Sequence, residues 1–144
     1  MKKRIALGLL ALLLSAGYWL FARYQRREAI QSALAYGRLA ALPATAREVD
    51  VDTGGSFFSR TFWLTFQASR ADIEAWQRHS PGLAGQRPTT EPSFVRSTNA
   101  PGWFAPDQGR RAIILNIPQN HAALYGTVWI DWQSLRVYVQ TSHS

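Results

Sequence analysis

The chain has 144 residues, 47% hydrophobic and 17% charged, and no cysteine. This is the size of one ordinary domain, and the composition excludes a disordered tail, a disulfide scaffold, thiolate zinc sites and thiol chemistry. The net charge of +7 is uneven: residues 1–42 carry Lys2, Lys3, Arg4, Arg23, Arg26, Arg27 and Arg38 against Glu28, whereas residues 43–144 carry nine Arg against eight acids, too even a balance for nucleic-acid binding.

From Ile5 to Ala22 run 18 residues without a charge. As a helix they extend about 27 Å, close to the roughly 30 Å of a bilayer's hydrocarbon core. Tyr18, Trp19 and Phe21 fall in the last third of the run, where aromatic side chains meet headgroups. A cleaved signal peptide would use the small residues Ser15-Ala16-Gly17, but the apolar run passes straight through that site. Residues 1–23 therefore read as a transmembrane anchor with basic flanks. Residues 5–22 would contact membrane lipid, with Arg23, Arg26 and Arg27 at anionic headgroups. The short basic N-terminus favours a cytoplasmic start. The expectation is a single-pass protein of the inner (plasma) membrane with its C-terminal domain periplasmic. Residues 24–42 read as a juxtamembrane helix ended by Pro43, with Ile30, Ala33, Leu34, Gly37 and Ala41 on one face.

Residues 43–144 form the expected extracytoplasmic α+β domain. Val49 and Val51 alternate with acids from Arg47 to Asp52, and Thr53-Gly54-Gly55-Ser56 reads as a turn. Arg60 to Ala68 alternates strongly and predicts a strand with Phe62, Leu64 and Phe66 on one side. Ser69-Arg70-Ala71-Asp72 resembles a capping box before a short helix that turns Ile73 and Trp76 inward and ends near His79. Residues 80–110 hold five Pro and four Gly and read as a long loop. Strands follow at Arg111–Ile117, Gly126–Asp131 and Leu135–Thr141. The predicted sheet is mainly antiparallel, and Ile114, Val128, Ile130, Val137 and Val139 complete the predicted core.

Asp52-Thr53-Gly54 matches the D-T-G triplet of aspartic proteases. Those enzymes share a proton between two such carboxylates, and only about nine domain residues precede the triplet here, too few for that family's strand arrangement. A turn is the simpler reading. Asp50-x-Asp52 begins like a calcium loop, but Gly54 and Thr61 occupy later ligand positions. His79, His121 and His143 follow no metal spacing, and a catalytic histidine would need Asp107 or Asp131 brought to it in space. No catalytic residue, cofactor or metal ligand is assigned. Five tryptophans lie after residue 43. Trp63 and Trp129 occupy the strand faces opposite the apolar rows, and Trp103 with Phe104 sits in the long loop. These four are the candidate partner-binding residues; the first reading of Trp103 and Phe104 is a structural plug that pins the loop to the sheet, and an exposed aromatic surface that binds a protein partner is the alternative. The expected function is non-catalytic binding as an accessory component of an envelope complex, with another envelope protein as partner. A membrane-tethered inhibitor or immunity-type protein is the alternative, followed by a small envelope hydrolase or a ligand- or lipid-binding domain.

Overall fold

The computed structural model describes residues 2–56, 58–93, 99–106 and 112–143, with the backbone alone for residues 2–7, 9 and 10. A single helix, α1, runs unbroken from Lys2–Tyr36. It contains no proline to interrupt its hydrogen-bond ladder. It stops at a Schellman turn: Arg38 takes a left-handed φ of 52°, Leu39 N–H donates to the Leu34 carbonyl (2.8 Å) and Arg38 N–H to that of Ala35 (3.0 Å). Leu34 and Leu39 bury their side chains in the same core. The helix therefore ends six residues before the expected boundary at Leu42, because a backbone turn at Gly37-Arg38 intervenes ahead of Pro43. Among the described residues no helix is long and apolar enough to cross a membrane. The expected span over residues 5–22 finds no support there, and its side chains at 5–7, 9 and 10 lie outside the described ones.

Five strands follow: β1 Arg47–Gly55, β2 Arg60–Gln67, β3 Ile113–Ile117, β4 Leu124–Asp131 and β5 Arg136–His143, with helix α2 Arg70–His79 between β2 and β3. They form one antiparallel sheet in the order β1-β2-β5-β4-β3. The architecture is α+β. The C-terminal third of α1 and all of α2 lie on the same sheet face. Between them are Phe62, Leu64, Phe66, Val128, Ile130, Val137 and Val139 from the sheet, with Ala33, Leu34, Ile73 and Trp76 from the helices. Ser69 caps α2, its hydroxyl accepting from Asp72 N–H (3.2 Å) and donating to the Asp72 carboxylate (2.7 Å). After the Schellman turn the chain is tied to α2. Trp76 Nε1–H donates to the Ala40 carbonyl (3.0 Å), and Ser80 Oγ both donates to Trp76 O (2.7 Å) and accepts from Ala40 N–H (3.0 Å).

Three expectations change. Thr53-Gly54-Gly55 belongs to β1 rather than to a turn, and a hydrogen bond from Ser56 N–H to Ser59 O follows before β2 begins. The glycine serves space: a β-carbon on Gly54 would stand 2.8 Å from the Trp63 ring. Ile114 lies on the other sheet face, packed against Trp63, Phe104 and Trp129, while Leu115 and Ile117 enter the main core. β4 also starts two residues earlier than expected, at Leu124. The expected first residue of β3, Arg111, lies outside the described residues.

Candidate functional site

The four aromatic candidates come together on the sheet face away from the helices. Trp63 on β2 and Trp129 on β4 are 2% exposed, and Phe104 is fully buried. Phe104 stands edge-on to Trp129 (5.7 Å between centroids), to Tyr138 on β5 (5.7 Å) and to Trp103 (6.0 Å), the geometry favoured by aromatic quadrupoles. A tight turn presents it: Phe104 N–H donates to Pro101 O (2.9 Å) and Ala105 N–H to Trp103 O (3.1 Å). Trp103 is half-buried, the one of the four that keeps part of its ring at the surface. The indole N–H groups of Trp63 and Trp129 and Oε1 of Gln140 are buried without a hydrogen-bond partner among the described residues.

A second feature was not legible in the sequence. A groove of about 400 Å³ runs between α1 and the free edge of the sheet, floored by Ala29, Val51 and Phe62 and rimmed by Arg26, Asp52 and Arg60. Arg26 reaches round the edge, donating to the Val49 carbonyl and standing 3.7 Å from Asp50. Asp52, opposite Trp63 in the register, accepts a hydrogen bond from its neighbour Thr53 N–H (2.8 Å). It lies on an exposed edge strand, so the D-T-G triplet has neither a turn nor a buried carboxylate.

The histidines stand on separate elements. His79 Nδ1–H donates to Ala75 O at the end of α2 (2.8 Å), His121 lies in the β3–β4 turn that Asn120 organises, and His143 ends β5 with its ring 6.4 Å from that of Tyr36. The Asp131 carboxylate is engaged in its own turn, accepting from Ser134 Oγ–H (2.6 Å) and Gln133 N–H (2.9 Å). The Ser134 hydroxyl holds it below the ordinary carboxylate value. Asp107 lies outside the described residues. Among the described residues no cluster of three or more His, Cys, Asp or Glu is placed to hold a metal ion.

Comparison with known proteins finds no match: no family model fits the chain, and no curated protein or solved structure is similar to it.

Proposed function

We propose that this chain is a single-pass, membrane-anchored accessory protein that works by binding another envelope protein, with its α+β domain outside the cytoplasm. The observation that carries the anchor is the exposure of Leu12, Leu13, Leu14, Tyr18, Trp19, Leu20 and Phe21 along the first two-thirds of α1. Soluble proteins seldom leave so continuous an apolar surface open, and such a patch marks contact with a membrane or a partner. The run from Ile5 to Ala22 carries no charge, and basic residues bound it on both sides. Arg23 lies over the Trp19 ring at 5.3 Å, a pairing suited to the headgroup layer. The binding role is supported by Trp103, which keeps part of its ring at the surface beside the buried aromatic cluster.

Fractionation tests the anchor. The full-length protein is expected to stay with membranes through high-salt and carbonate washes, and Leu12→Arg with Leu13→Arg to release it, since each Arg at a span's centre costs about 2.5–3.5 kcal/mol. A soluble mature form beginning near Tyr18 would overturn the anchor. Purification in mild detergent followed by mass spectrometry tests the accessory role, for which a stoichiometric co-purifying membrane or periplasmic protein is expected.

A further inference from the structure

The edge of the sheet at β1, which no second described strand covers, has the chemistry of a docking site. Antiparallel strands alternate between bonded and non-bonded residue pairs. Ser56 N–H donates to Ser59 O (2.8 Å), so that pair is a bonded one. Counting along the register, Gly54–Thr61, Asp52–Trp63 and Asp50–Thr65 are then the bonded pairs. Val51 and Thr53, lying between them, turn their N–H and C=O groups outward. Two side-chain contacts agree with this phase: the Thr53 N–H is taken by the Asp52 carboxylate, and the Val49 carbonyl by Arg26. Both are contacts that an incoming strand would replace with main-chain bonds.

The opposite edge is treated differently. On β3, Thr89 N–H donates to the Ile114 carbonyl (2.9 Å) in an isolated bridge, so the chain covers part of that edge itself. On β1 the described residues leave Val51 facing the groove.

We infer that β1 and the groove beside it take up an extended segment of a partner protein as a sixth strand. This rests on the reading of the chain as a binding protein and names the chemistry of the partner. One side of the added strand would lie over Ala29, Val51 and Phe62 in the groove, whose volume admits small apolar side chains. The other side would face Asp50 and Asp52, which are exposed on the far face. Basic residues opposite them are favoured by cross-strand pairing. The occupant is therefore a segment in which basic residues alternate with small apolar ones. A second copy of this chain fits badly in the register centred on Val51, the residue that faces the groove. Antiparallel pairing of β1 with itself about a two-fold axis at Val51 sets Asp50 and Asp52 against the carboxylates of the copy, and like charges directly opposite repel.

The test uses the full chain in detergent micelles and two nine-residue peptides, matched to the nine residues of β1: one alternates lysine with valine, the other glutamate with valine. The lysine peptide is expected to slow amide exchange at Val51 by about tenfold or more, and the glutamate peptide to leave it unchanged. Val51→Pro removes an outward donor without touching the ladder to β2. It is expected to abolish peptide binding with a cooperative unfolding transition retained, at a midpoint lowered by the lost packing of the half-buried Val51 side chain on the core. Asp50→Lys with Asp52→Lys, both on the surface, is expected to reverse the preference between the two peptides. Protection by neither peptide, equal protection by both, unimpaired binding by Val51→Pro, or self-association of the chain through β1 would each overturn the inference. The fractionation and co-purification experiments decide the anchored accessory role separately, so a soluble chain that still binds the lysine peptide sinks one proposal and leaves the other standing.

Discussion

The carbonyl oxygen of Gly37 lies so close to the α-carbon of Gly82 that a β-carbon built there would overlap it. Gly82 N–H also donates to the next carbonyl, that of Arg38, at 2.8 Å. The end of α1 and the short 3₁₀ turn at Pro81–Leu83 are thereby held in backbone-to-backbone contact. Gly82→Ala is expected to cost about 1–3 kcal/mol by overpacking, since neither partner is a flexible side-chain end. Thermal unfolding checks this; an unchanged midpoint would mean that the α1 terminus gives way more readily than the Schellman turn implies.

The aromatic plug makes unequal demands on its two members. Phe104 is enclosed by Trp129, Tyr138 and Trp103, so Phe104→Ala is expected to cost about 3–5 kcal/mol. Trp103 is only half-buried. Trp103→Ala is expected to cost about half of what full burial of a large side chain is worth, near 0.8–1.5 kcal/mol. Comparing the two melting temperatures tests the order, and equal losses would contradict it.

The last turns of α1 belong to the same core as the sheet. Ala33, Leu34 and Leu39 are buried there, and the Thr141 hydroxyl donates to the Ala33 carbonyl (2.9 Å). A chain starting at Pro43 forfeits three buried apolar groups and leaves Thr141 unpaired, a substantial share of a total stability of roughly 5–15 kcal/mol. Residues 24–144 are expected to unfold cooperatively, and residues 43–144 to lack a cooperative transition. Near-ultraviolet circular dichroism through a thermal ramp distinguishes the two.

Asp72 joins the α2 cap to the chain before β1. The hydrogen bond from Thr45 Oγ1–H (2.5 Å), and then that from Ser69, hold its carboxyl below the ordinary value. A carboxylate whose pKa is lower folded than unfolded contributes stability above its unfolded value near 4, and that contribution is lost as the pH falls through the folded value. Thr45→Ala is expected to flatten the acid limb of the stability profile below pH about 4. At neutral pH, Ser69→Ala is expected to cost about 1 kcal/mol through the lost cap. Denaturant titrations at pH 3 and pH 7 read both.

How much of this was legible in the sequence follows from periodicity. β2 announces itself because Phe62, Leu64 and Phe66 alternate with Trp63 and Thr65, and the capped α2 because Ser69 and Asp72 sit at the right interval. β3 was legible as a strand but not in its facing: Ile113-Ile114-Leu115 is apolar throughout, so nothing in the pattern says that Ile114 turns away from the core. The end of α1 was obscured because Leu39-Ala40-Ala41-Leu42 are good helix formers, and only the backbone turn at Arg38 sends them back along the helix. Of the candidate site residues, Trp63, Trp129, Phe104 and Trp103 could be singled out by composition; strand parity sets Trp63 and Trp129 on one face, whereas the docking of the loop residues Trp103 and Phe104 against them depends on the tertiary path of the chain. The groove beside β1 left no trace, because Arg26 and Val49 are 23 positions apart and meet only through the return of the chain.

The continuity of α1 also has a mechanical meaning. Its 35 residues make a rod of about 52 Å, and the rod's far end is built into the core without an intervening swivel. A rotation of the exposed end is carried along the helix toward the sheet. One alanine inserted between Phe21 and Ala22, ahead of the Arg26 contacts to β1, advances the helix by about 100° and swings the edge at β1 through the same angle, so the heading of that edge is written into the count of residues before it.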